Sequence, residues 1–340
     1  MGKERDLSID VAKGILIVML IFHHIVDIGQ GIHIDNEILR LMHHVQRPLV
    51  LCYFMQTFFM ITGMCSSFEG SFMKFLWKQI RTLLIPGLAF SFAYHLLRKG
   101  FDANASVAFL DSYLKTGGPY WFITALFGGK VAYFWLRKLF PGKVMILVIL
   151  TATSFIGTLL RTLHVMPNYY WHWQILDLTL FLAAGSIFKD LIRNDRYGRV
   201  SVVVYSVLAF AGILTYGARR VPYVTAGFGT VVSGWPLHVA LALAGSVSIL
   251  WFARKAAPCV WLQYLGRNSL IVYLTQGATL KFLLEGFSDV LSSGSPQTSI
   301  AAIMAIAISA CAIAVVIAHV IDRTPLRILL GKSWALKTYS

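Results

Sequence analysis

Ten mostly apolar stretches, each close to 20 residues, alternate along the chain with short polar segments: 9–28, 48–68, 82–98, 119–137, 143–160, 174–189, 200–217, 235–253, 268–285 and 298–320. About 20 apolar residues span the hydrocarbon core as a helix. The pattern therefore predicts an all-α integral membrane protein, a polytopic bundle of about ten transmembrane helices. The stretches at 82–98 and 174–189 are short and are expected to tilt or be shielded by neighbours. No heptad, low-complexity tract or fixed-period repeat is visible. Nothing outside the apolar runs is long enough for a separate soluble domain, so residues 1–340 are expected to form one transmembrane domain.

An even number of crossings puts both termini on one side of the membrane. Most of the 30 Lys and Arg residues fall in the loops and ends of that same side, and Lys130 falls inside a span. Cytoplasmic loops are the ones that carry excess Lys and Arg, so both termini are expected to be cytoplasmic. The same distribution accounts for the net charge of +15 and argues against nucleic acid, because the basic residues are spread between spans instead of forming one patch. The first apolar run lacks a small-residue cleavage site and reads as a retained span. Cys52, Cys65, Cys259 and Cys311 show no metal-ligand spacing and lie in or beside apolar runs. They are expected to be free thiols, with no metal bound.

Within the first run, Lys13 and His24 are eleven residues apart, almost three helical turns. Their side chains point the same way, about 16 Å apart along the axis. Asp10 and Asp27 lie within about 60° of that line, giving a polar stripe on an apolar helix. Ionisable groups inside a membrane are costly and mark functional sites by default. Desolvation should keep a buried His24 neutral, and a neutral imidazole can act as general base toward a hydroxyl. Asp27, one turn on, could orient His24. His23 points about 100° away and is the weaker candidate. The plain alternative is a histidine that only hydrogen-bonds a neighbouring helix.

Lys74, Lys78 and Arg81 share one face of the helix entering the third run. They can form an anion clamp for a phosphorylated cytosolic ligand, or they can be ordinary positive-inside charge facing lipid headgroups.

These segments resemble a known family. Lys13, ten residues and then His24 match the first-helix signature of the acyltransferase family three membrane proteins. Phe58-Phe59-Met60-Ile61-Thr62-Gly63 resembles that family's Phe-Phe-x-x-Ser-Gly segment. Lys78-Gln79-Ile80-Arg81 followed by Pro86 resembles its Arg-x-x-Arg…Pro stretch. Tyr120-Trp121-Phe122 and Leu265-Gly266-Arg267-Asn268-Ser269-Leu270-Ile271-Val272-Tyr273-Leu274 resemble two later blocks, and the matches run in family order. Trp121-Phe122-Ile123-Thr124-Ala125-Leu126 is most similar to the fucose O-acetylase-like branch. The chain departs from the pattern twice: Thr62 replaces a serine, and Gln276 stands near the position where many members carry a histidine.

The resemblance implies an O-acyltransferase of the bacterial inner membrane. It would move an acyl group, usually acetyl, from cytosolic acyl-CoA to a hydroxyl of a cell-surface, exported or lipid-linked glycan. Lys13, Lys74, Lys78 and Arg81 would bind acetyl-CoA, and His24 with Asp27 would form the catalytic group. Candidate acceptor contacts are His43 and His44 (with Gln46 and Arg47 beside them), Trp121, and the outward segment containing Arg161, Tyr170, Trp171 and His172. Aromatic faces there can stack on sugars, although Trp and Tyr also gather at membrane interfaces simply to anchor helices. Membrane lipid, CoA and the glycan are the expected partners, and the oligomeric state stays open, a homodimer included. A competing reading is a proton-coupled transporter or flippase that uses the Asp10, Lys13 and His24 stripe.

Overall fold

A computed structural model describes residues 6–46, 50–99, 103–163, 165, 171–216, 234–324, 327 and 330. Regular structure among these residues is helical. In chain order the helices are α1 (Leu7–Gly31), α2 (Glu37–Gln46), α3 (Phe54–Cys65), α4 (Phe72–Gln79), α5 (Ile85–Lys99), α6 (Ala103–Thr116), α7 (Trp121–Leu139), α8 (Lys143–Thr162), α9 (Trp171–Ile187), α10 (Lys189–Ile192), α11 (Asp195–Tyr216), α12 (Trp235–Lys255), α13 (Val260–Arg267), α14 (Ser269–Gly286), α15 (Ser288–Ser293) and α16 (Pro296–Arg323).

Six helical stretches among the described residues are long and apolar enough to cross a membrane: Leu7–Gly31, Phe72–Leu97, Lys143–Thr162, Asp195–Thr215, Trp235–Lys255 and Pro296–Arg323. They mark a multi-pass membrane protein. The other four apolar runs also hold helices, α3, α7, α9 and α14, which are shorter or carry more charge. The clearest departure from the sequence reading is Phe72–Leu97, which starts ten residues before the expected 82. Lys74, Lys78 and Arg81 do not interrupt it, because Phe75 and Gln79 on another face are buried and hold the turn in the helix. Pro86 has no N–H to offer the carbonyl of Thr82 and its ring crowds that turn. The helix absorbs this through a π-turn at Ile80–Leu84, where the Ile85 N–H reaches back five residues to the Ile80 carbonyl.

The chain divides into two compact units. One is built from the described parts of residues 1–58, 190–223 and 236–319. Its α1 lies directly on α13. A methyl group at Gly14 would collide with the carbonyl of Leu262, and one at Gly266 with the carbonyl of Asp10. Membrane helices gain little from excluding water, so close backbone approach at small residues is what holds them together. Asn36 fixes the far end of the unit. Its amide donates to the Leu291 carbonyl (2.5 Å) and the Ser299 hydroxyl (2.8 Å), while its oxygen accepts from the Leu39 N–H and caps α2. At the other end Asp6 caps α1, taking the Ser8 N–H and hydroxyl, and pairs with Arg193 at 2.7 Å.

The second unit holds the described parts of residues 59–189, 224–235 and 320–340. Its α3 end and α9 meet as closely as α1 and α13 do: added methyls would collide between Gly63 and Leu182, and between Gly185 and Met60. Phe68, Phe72, Phe75, Tyr133, Phe134 and Trp135 form an aromatic seam between the start of α4 and the end of α7, with Phe75 and Phe134 stacked at 4.6 Å. Arg161 of α8 pairs with Asp177 of α9 at 2.5 Å, both almost wholly buried. Left-handed Gly117 and Gly118 make the sharp entry into α7, a conformation side chains resist.

Candidate active site

The polar stripe on α1 is present, but its members have different partners from those the spacing suggested. Asp10 is buried and pairs with Arg267 at the end of α13 (3.4 Å). Gly266, next to it, lets the two backbones come close enough for that reach. Arg267 also donates to Gln263 (3.3 Å). Lys13 and His24 are half-buried on the same helix. The His24 and His23 rings meet in a tilted edge contact with centroids 5.5 Å apart, and His23 in turn meets Phe54 at 5.8 Å. Asp27 is exposed, and it is His23, one turn before it, that feels its charge. Gln46, at the end of α2, donates to the Phe22 carbonyl (3.2 Å) and also reaches His23. The geometry thus groups His24, His23, Asp27 and Gln46 at one end of α1. His23 touches the His24 ring and is the imidazole that feels the Asp27 carboxylate.

Sequence reasoning ranked His23 low from its helical angle and treated Gln46 only as a neighbour of His43-His44. The amphipathic pattern of α2 was the available signal for Gln46, since Leu39 and Gln46, two turns apart, are its two buried positions. His43 and His44 are half-buried on α2 with rings 5.9 Å apart.

In the second unit, Lys74 and Lys78 are exposed on α4, and Arg81 is half-buried in the π-turn. π-turns are rare and frequent at functional sites. Lys130, which sequence reading left aside as a charge within a span, lies in electrostatic reach of Lys78 and of the Cys65 thiol. Trp121 begins α7, half-buried, with its ring against Phe122. Arg161 is not on an outward loop. It occupies the last turn of α8, paired with Asp177 and with Trp173 at 5.9 Å from its guanidinium. His172 is exposed, while Tyr170 and the side chain of Trp171 lie outside the described residues. No group of three metal-ligating side chains could hold an ion among the described residues.

Residues 6–319 match the family description of the acyltransferase domain. The chain belongs to acyltransferase family three. The nodulation protein NolL of Mesorhizobium japonicum is a distant relative, 25% identical over 340 residues that cover 92% of this chain and 86% of its own. No solved structure matches significantly.

With the family known, several motif residues acquire physical reasons. Gly63 closes the Phe-Phe-x-x-Thr-Gly segment because the α9 backbone leaves no space for a side chain there. Gly266 and Arg267 in the late block anchor α13 to Asp10 of α1. Gln276 of α14 is buried with neither amide atom hydrogen-bonded among the described residues.

Proposed function

We propose that this family-three acyltransferase is an acyl-CoA-dependent O-acetyltransferase of the bacterial inner membrane, acting on a hydroxyl of a cell-surface, exported or lipid-linked glycan. The observation that carries the reading is His24, a half-buried imidazole on the polar face of α1 that also bears Lys13, in a chain matched by the family from residue 6 to 319. An imidazole is the side chain suited to take a hydroxyl proton near neutral pH.

In this reading His24 accepts the acceptor's hydroxyl proton as the oxygen attacks the thioester carbonyl. A C–O bond forms, the C–S bond breaks, and His24 returns the proton to the departing thiolate. His23, with Asp27 one turn beyond it, packs against the His24 ring and steadies the charge that passes through it. Lys74, Lys78 and Arg81 bind the donor's phosphates, with Lys13 as a further cation. His43, His44, Trp121 and His172 are the proposed acceptor contacts, joined by Tyr170 and Trp171. Arg161, buried against Asp177, is not among them.

The test is transfer of radiolabelled acetyl from acetyl-CoA to glycan in nanodiscs. His24→Ala should lower turnover by about 10²–10⁴-fold, the usual worth of a general base, with CoA affinity unchanged. Lys78→Ala/Arg81→Ala should weaken CoA binding more than the chemical step. Near-normal turnover in His24→Ala would remove the general-base role.

A further inference from the structure

Lys130 has no part in the reading so far, and its position needs an explanation. Nine residues separate it from Trp121 at one end of α7 and nine from Leu139 at the other. At 1.5 Å per residue it stands about 13 Å from either end, farther than a lysine stem can carry its ammonium to an interface. A charge at such depth costs about 2.5–3.5 kcal/mol on insertion scales. Among the described residues no carboxylate pairs with the ammonium of Lys130 or of Lys78.

Contacts at two levels determine what faces it. Phe75 stacks on Phe134 at 4.6 Å, and Phe72 meets Trp135 at 4.9 Å. Farther on, a methyl group at Gly87 would stand 3.3 Å from Ile123 Cγ2. The helix from Phe72 through the π-turn therefore runs antiparallel to α7 almost residue for residue, since Phe75 to Gly87 matches Phe134 to Ile123. Lys130 comes level with Gln79, between Lys78 and Arg81. Two ammonium groups thus stand at one level of the unit, Lys130 half-buried and Lys78 exposed, with the exposed Cys65 thiol in electrostatic reach of Lys130. Alone they repel. A phosphate dianion between them turns repulsion into charge-assisted hydrogen bonds.

We propose that Lys130, with Lys78 and Arg81, binds a phosphate-type anion at the level of the middle of α7, deeper than the end of the helix that bears Lys78. The inference rests on the donor reading above and deepens it, because a phosphate of the donor would then be held halfway along α7. The headgroup of an anionic lipid carries the same chemistry.

Cys65 supplies a readout independent of catalysis. Of the four free cysteines it is the exposed one, and Cys52 is buried. In a Cys259→Ser/Cys311→Ser background, alkylation of Cys65 by N-ethylmaleimide is followed by mass spectrometry in phosphatidylcholine nanodiscs, with and without adenosine 3′,5′-bisphosphate. The ratio of the two rates is read, so that any change in intrinsic thiol reactivity cancels. The bisphosphate should slow alkylation, and Lys130→Gln should raise the half-protecting concentration about tenfold or more, with Lys130→Arg restoring it. A second arm repeats the comparison in phosphatidylglycerol nanodiscs without nucleotide. Protection there that Lys130→Gln removes, with none from the bisphosphate, keeps the anion site but assigns it to lipid and withdraws the donor from it. Protection that Lys130→Gln leaves unchanged, or no protection in either arm, overturns the site.

Discussion

Arg161→Met would leave the Asp177 carboxyl without its cation in the interior of the α8–α9 pair. The two side chains are 2% and 3% exposed and meet at 2.5 Å. Once the guanidinium is gone, Asp177 keeps a hydroxyl from Ser154 at 3.4 Å, and that hydroxyl already receives the Trp235 indole N–H at 3.0 Å. Removing one partner of a buried pair costs about 3–5 kcal/mol, because the other charge is stranded, whereas replacing both by apolar groups is neutral or even stabilising. A pair in contact with solvent would be worth at most about 1 kcal/mol. Arg161→Met and Asp177→Leu should each cost about 3–5 kcal/mol, and the double variant should return close to the parent. The assay is a double-mutant cycle of denaturant unfolding in mixed micelles, in which the coupling energy is read directly. Single variants that lose less than about 1 kcal/mol would mean that the pair is solvated. A double variant as unstable as the two singles combined would mean that each residue acts through some other neighbour.

Other positions give independent checks. Gly63→Val and Gly185→Val should each separate α3 from α9 and greatly reduce folded yield, measured by size-exclusion chromatography in detergent. Gly286→Val meets no atom within 4 Å and should leave the yield unchanged. Asn36→Ala removes the α2 cap together with two buried hydrogen bonds and should cost about 2–4 kcal/mol, measured by the same micelle unfolding. Partial burial works against the Asp6 charge, but the bonds from Ser8 and the guanidinium of Arg193 outweigh it and hold the carboxyl below the usual aspartate range. Its folded form is the more acidic one, so the stabilisation is present above the ordinary aspartate value of about 4 and is lost as pH falls through the lowered one. Asp6→Asn should therefore be less stable than the parent at pH 7 and should approach it below about pH 4, with the gap shrinking in high salt. A gap that persists unchanged at low pH would refute that account.

The sequence by itself determined the class of this protein. Runs of about 20 apolar residues with basic residues between them have few outcomes other than membrane helices, since lipid leaves no backbone group without an internal partner. The order of short motifs along the chain likewise carried the family, and spacing alone placed Lys13 and His24 on one face of α1. Partnership was not legible. Asp10 looked like a companion of Lys13 on its own helix, yet it is paired with Arg267, 257 residues away in sequence. Arg161 read as an outward sugar contact and is buried against Asp177. Lys130 read only as a charge within a span, and the antiparallel register of α7 against Phe72–Leu97 is what brings it level with Lys78 and Arg81. The physical reason is the same in each case. Helical periodicity fixes which way a side chain points around its own axis, whereas the neighbour it meets depends on where glycines let two backbones touch, and that choice is made only when the helices assemble.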